Sequence, residues 1–200
     1  MGEARKDLWA SDSVDAWRAA AGRYEAVVAG QSSKALPELD RWYREELPGL
    51  IAARKKPHVT LAELVRLTEW KMARGIWRPR NLALVQGNDP ARVERTSTDA
   101  LARVPHPSAP IAMLSELAGV GPATASAVAS AAAPEVYPFF DELVAAQIPG
   151  LGQVTFSPRE YARYADAIRE RAAALGLTPV DVERALWAES GGKAKVRING

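Results

Sequence analysis

The chain contains no cysteine, which excludes disulfides, thiolate-bound zinc and cysteine-held iron–sulfur clusters. Histidine is nearly absent too. His58 and His106 lie far apart, each beside a proline in an expected loop, so no metal site is expected. No apolar run is long enough to span a bilayer; the longest small-apolar stretch, ATASAVASAAA, is short and alanine-rich. The opening residues MGEARKDLWASDS are charged and lead into no apolar segment of the secretory kind. Period-2 alternation, internal repeats and low-complexity linkers are also missing. The expectation is a soluble, cytoplasmic protein with no membrane partner.

What remains is ordinary globular material. The 200 residues are 48% apolar and 25% charged, enough for one well-cored domain and too apolar for wholesale disorder. The formal net charge is only +2, although the pI is about 9.0. Arginine heavily outnumbers lysine, and its planar fork of donors suits phosphate. An alanine- and arginine-rich codon bias would leave the same composition.

Apolar residues recur with helical period along most of the chain. Helices are expected at 13–29, 33–46 (ended by Pro48-Gly49), from Thr60 with a capping box through Glu63, and at 79–86. Others are expected from Asp89-Pro90 to about Arg103, and at 110–118, 122–132, 157–175 and 179–189. VPHPSAP at 104–110 reads as a loop, and 191–200 as a frayed tail. The fold class is therefore all-α: one compact helical domain over 1–190, in one body or in two lobes about a cleft.

The most informative run is Leu117-Ala118-Gly119-Val120-Gly121-Pro122-Ala123-Thr124-Ala125. Two glycines one residue apart allow a tight helix-to-helix reversal and leave the backbone bare for a phosphate. Pro122 preorganises the first turn of the next helix, whose unpaired N–H groups and dipole favour an anion at the same place. Val120 should point inward. The expected DNA contacts are Gly119, Val120, Gly121, Ala123 and Thr124, made to the backbone of duplex DNA, with a monovalent cation at the hairpin as the one cofactor to consider. A plain helical turn, or a protein-binding hairpin of the same shape, is the alternative.

With LAGVGPATAS followed by APEVYPFFDELV, the chain resembles the helix-hairpin-helix DNA glycosylases of the endonuclease III and adenine-glycosylase group. The resemblance covers about residues 110–150, and Asp141 follows Leu117 at the spacing of the catalytic aspartate in the family's iron–sulfur members. It implies a base-flipping enzyme in which a carboxylate stabilises the oxocarbenium-like sugar while the base leaves. By that resemblance Asp141 is the catalytic candidate and Glu142 its neighbour and substitute; Asp141 as a mere helix N-cap is the other reading. Tyr137, Phe139 and Phe140 would wall a base pocket, or else belong to the core. The chain departs from the family in lacking the cluster cysteines, and in carrying Ala123 where the lyase members have a lysine. A glycosylase without lyase chemistry from that position is the expectation.

A second constellation is EWKMARGIWRPR at 69–80. Trp70 and Trp77 interleaved with Arg74, Arg78 and Arg80 can stack on bases while gripping phosphates, or can be core tryptophans with solvated arginines. Lys71 is either a displaced nucleophile or an ion-pair partner of Asp141. Lys55-Lys56, Arg163, Arg169 and Arg171 read as solvated faces, and PGLG at 149–152 as a turn with no helix directly after it. Three functions are open: a monomeric monofunctional DNA glycosylase acting in repair or defence, a catalytically silent hairpin protein for distorted or branched DNA, and a protein-interaction domain.

Overall fold

The computed structural model describes residues 7–193, so most of the tail expected from residue 191 lies outside the described residues. Among those residues the chain is helical throughout, with no strand. The elements are α1 (Val14–Ala21), α2 (Tyr24–Ala29), α3 (Leu36–Arg41), α4 (Leu47–Ala52), α5 (Leu61–Arg74) and α6 (Pro79–Gln86). They are followed by α7 (Pro90–Leu101), α8 (Ala109–Leu114), α9 (Pro122–Ala132), α10 (Glu142–Ala145), α11 (Pro158–Leu175) and α12 (Pro179–Ser190). None of them is long and apolar enough to cross a membrane.

Side-chain caps set half of the helix starts. Thr60, Ser157 and Thr178 each form a reciprocal capping box with the acid three residues on, and Asp89 caps α7 ahead of Pro90. Three expected boundaries are wrong. The helix expected to reach residue 118 stops at Leu114. The first helix breaks at Gly22-Arg23 into α1 and α2, because Gly22 is a poor helix former and the Arg23 N–H closes onto the Ala20 carbonyl, three residues back, instead of continuing the ladder. The second runs past Pro48-Gly49. A π turn over Trp42–Glu46, closed by the Leu47 N–H on the Trp42 carbonyl, shifts the hydrogen-bond ladder, and Pro48 then falls in the first turn of α4, where no donor is needed.

Helix α9 is the axis of the molecule. Every residue from Thr124 to Ala131 is buried, and α4, α5, α8 and α11 pack around it. Its alanines and serines let those neighbours approach closely. The alanine-rich stretch is therefore the centre of a single contiguous core extending from Leu8 to Ala188. Arg169 and Arg171, expected on a solvated face, instead fix carbonyls of Val136 and Ser11.

A second, polar interior lies beside this core. The Tyr24 hydroxyl donates to Asp40 (2.7 Å) and accepts from Arg44 (3.0 Å) and Arg74 (3.2 Å), while the Trp70 indole N–H also donates to Asp40 (2.8 Å). Burial above all pushes the Tyr24 hydroxyl up to about 12, so it remains a donor. Asp40→Ala leaves the buried Tyr24 hydroxyl and Trp70 indole without their acceptor and removes the ion-pair partner of Arg44, and should destabilise the fold by about 3–5 kcal/mol in urea titrations. A loss below about 1 kcal/mol would show that the network contributes little.

Candidate active site

The glycine hairpin has the geometry that its sequence requires. Gly119 sits at φ +75°, Val120 closes a turn onto the Leu117 carbonyl (3.1 Å) and is buried, and Gly121 is the extended N-cap of α9. No side chain caps α9, so no capping residue's oxygen accepts its first-turn amides. The loop is braced from α6. Asn81 donates to the Gly119 carbonyl (3.0 Å), and Asn88 both donates to the Ala118 carbonyl (2.9 Å) and accepts from the Ala118 N–H (3.0 Å). These asparagines fix the Ala118 and Gly119 carbonyls and the Ala118 amide. Sequence reasoning missed both; an asparagine on each side of a Gly-rich turn in space leaves no local pattern.

Beneath the hairpin lies a cavity of about 290 Å³, at the small end of the usual range for ligand pockets. One wall is the hairpin itself, with Gly119, Gly121, Ala123 and Thr124. The end of α5 and the loop after it supply Lys71, Gly75 and Arg78. The facing wall is the extended segment before α10, with Phe139, Phe140 and Asp141, and Glu142 at the rim. Asp141, expected from spacing alone, thus shares a cavity with the hairpin.

The carboxylate of Asp141 is already engaged. Its Oδ1 accepts the N–H groups of Leu143 (2.8 Å) and Val144 (3.3 Å), so it does cap α10, and its Oδ2 accepts from Arg74 Nε (3.2 Å). Arg74 is 2% exposed and also pairs with Glu183 of α12. Arg74 is therefore an interior cation and not a phosphate contact. Burial by itself would discharge Arg74, but Glu183, then Tyr24, Asp141 and Asp40, more than offset that and push its pKa up. Glu183 feels the reverse balance: burial outweighs the nearby arginines and pushes its pKa up. The ion pair foreseen between Lys71 and Asp141 does not form, because Arg74, one turn further along α5, occupies the carboxylate.

The aromatic assignments divide. Phe139 and Phe140 line the cavity. Trp70 and Tyr137 do not: Trp70 is fully buried and stacked on Tyr43 (3.7 Å between centroids), and Tyr137 donates to the His106 carbonyl (2.8 Å). Both are core residues behind the wall, where their polar atoms have partners. Trp77 is 51% exposed at the mouth, between the cavity-lining Ile76 and Arg78, and Arg80 is exposed nearby without lining the cavity. The cavity also contains a residue that spacing did not suggest. Phe156 packs edge-on to Phe140 (5.1 Å) from a backbone at φ +62°, a strained conformation for a phenylalanine that aims its ring at the cleft. Among the described residues no group of histidine, cysteine and acidic side chains is placed to hold a metal ion.

The two hairpin glycines should respond differently to alanine. A Cβ on Gly119 would come within 2.8 Å of Val85 Cγ2 and 2.9 Å of the Asn81 carbonyl, at a positive φ, whereas a Cβ on Gly121 meets nothing within 4 Å. Gly119→Ala should lower stability by about 2–4 kcal/mol and Gly121→Ala by less than about 0.5 kcal/mol, read as denaturation midpoints. Equal losses would mean that the hairpin is not braced as described. No protein family profile, curated protein or solved structure matches this chain.

Proposed function

We propose that the protein is a DNA glycosylase: it holds duplex DNA by the backbone at the Gly119–Gly121 hairpin, takes one extruded base into the cavity beneath, and hydrolyses its N-glycosidic bond at Asp141. The observation that carries the reading is that Asp141 and the uncapped N-terminus of α9 line one cavity. A phosphate on the uncapped first turn of α9 would hold the strand at the mouth. The sugar attached to the extruded base would then lie against the facing wall. As the bond to the base lengthens, positive charge grows on the sugar, and an ionised carboxylate fixed in a partly dry site stabilises that charge without having to reorganise. Two amides and the Arg74 guanidinium hold Asp141 in place, which keeps it pointed at the cavity from a rigid position. Phe139, Phe140 and Phe156 give the base an aromatic enclosure, and the exposed indole of Trp77 can fill the gap that the base leaves in the stack.

A second reading draws on one specific observation: both oxygens of Asp141 already have partners. On that reading the carboxylate is structural, and the hairpin recognises distorted DNA without chemistry.

Incubation with duplexes carrying varied base lesions, followed by alkali, separates the two. Base release from at least one lesion is expected, with Asp141→Asn reducing it by about a hundredfold or more while a mobility shift persists. Arg78→Ala should weaken binding alike on every sequence and reduce the salt slope by about one. Binding with no base release from any lesion, or release undiminished in a folded Asp141→Asn variant, would leave only the binding module.

A further inference from the structure

Lys71 has no part in the reaction as proposed, yet it lines the same cavity as Asp141 and the glycine turn. Its side chain makes no hydrogen bond or ion pair among the described residues. The carboxylates that could neutralise it are engaged elsewhere. Arg74 holds both Asp141 and Glu183, and Glu142 lies 3.8 Å from Lys193 Nζ. Arg78, whose side chain also has no such partner among the described residues, is the charged neighbour of Lys71. One wall of the cavity therefore carries two cations without a counter-ion.

The two differ in depth. Arg78 is exposed at the mouth, where a backbone phosphate can reach it, and Lys71 is half-buried in the wall. Burial, and after it Arg78, bring the Lys71 amine down to about 8, as happens to an ammonium that has lost water and met no anion. It still carries its proton in about nine molecules in ten at pH 7. The rings of Phe139, Phe140 and Phe156 supply a stacking surface that brings no charge of its own, and the Thr155 hydroxyl beside them is committed to Glu160. A pocket with aromatic faces and one poorly solvated ammonium is complementary to a flat ring with negative charge on its edge. We infer that the cavity selects an extruded base with an anionic substituent, of the carboxylated-pyrimidine class, and that Lys71 reads the charge through a charge-assisted hydrogen bond, an inference that rests on the glycosylase reading for delivery of the base into the cavity.

Selection works through desolvation. A neutral base of the same shape leaves the ammonium covered, with neither water nor a partner, and an anionic base removes that cost. The two bases are thus told apart even where ring and stacking are identical. Asp141 and Glu142 face other cations and Arg78 repels the charged amine, so no protein group takes the place of the missing anion. The preference holds while Lys71 is charged. It is lost as the pH rises above about 8, where the amine gives up its proton.

The test titrates the full chain, by fluorescence anisotropy, with two duplexes that differ in one base opposite adenine. One carries 5-carboxycytosine and the other 5-carbamoylcytosine, its neutral counterpart of the same shape; the mismatch eases extrusion in both. At pH 7 the carboxylated duplex should bind about tenfold or more tightly, and the ratio should fall towards one by about pH 9. Lys71→Met should abolish the ratio, whereas Lys71→Arg, which keeps the charge, should retain it. The pH series uses the unaltered chain, so it decides the matter without any variant. A ratio near one at pH 7, a ratio indifferent to pH, or a ratio retained in folded Lys71→Met would overturn the assignment. An equal loss on both duplexes in Lys71→Met would do so too, because it would give Lys71 to a backbone phosphate. The free bases, titrated by calorimetry, repeat the comparison without DNA. A carboxylate preference there, with no duplex bound, keeps the charge pocket while the glycosylase reading fails. Base release indifferent to the carboxylate keeps that reading and removes only the role of Lys71.

Discussion

The buried guanidinium of Arg74 is the interaction on which the rest of the cleft depends. One planar group at the end of α5 reaches Asp141 on the cavity wall, Glu183 on α12 and Tyr24 at the start of α2. A lone cation at that depth would be prohibitively costly, and so would either carboxylate without it. Together they satisfy one another and link helices that are distant in sequence. Only arginine has the rigid fork to meet three partners at fixed angles; a lysine would offer a single point charge. The Trp187 ring, 4.4 Å from the guanidinium carbon, covers one face and excludes water from that side.

The consequences divide the charged residues of EWKMARGIWRPR by position along one helix. Arg74 is committed to the interior, which frees Lys71, one turn earlier, from any carboxylate. Gly75 then ends α5, and Ile76, Trp77 and Arg78 emerge at the cavity mouth before Pro79 opens α6. Helix α6 in turn supplies Asn81 to the hairpin, and Asn88 just beyond it completes the brace. A single stretch of chain therefore supports both the acid wall and the Gly119–Gly121 turn, so the two are positioned relative to each other rigidly. The buried axis α9 completes the arrangement: Ser126 accepts the Phe140 N–H (2.9 Å), fixing the segment that carries Asp141 to the hairpin helix.

Much of this was legible locally. The capping box at Thr60, proline at helix starts and the Gly-Val-Gly turn are short-range devices whose partners lie within a few residues, and the structure has them as the sequence indicated. The failures are equally physical. Trp70 and Trp77 look alike in sequence, yet one stacks on Tyr43 in the core and the other projects to solvent, a difference set by Gly75 ending the helix between them. Pro48 looks like a stop signal until a π turn moves it to a position that needs no donor. Asp141 was readable both as a cavity carboxylate and as a cap, and it is both.

By itself the sequence determined the helical class, the glycine turn before α9 and the acid that caps α10, because helix periodicity, glycine at positive φ and N-capping are each decided within a turn or two of chain. Which cation meets that acid, which aromatic rings face the cleft and which lysine is left unpaired were decided only by the tertiary structure. Those outcomes depend on burial and on partners that lie up to 109 residues apart, as between Arg74 and Glu183, a separation over which no local pattern carries information.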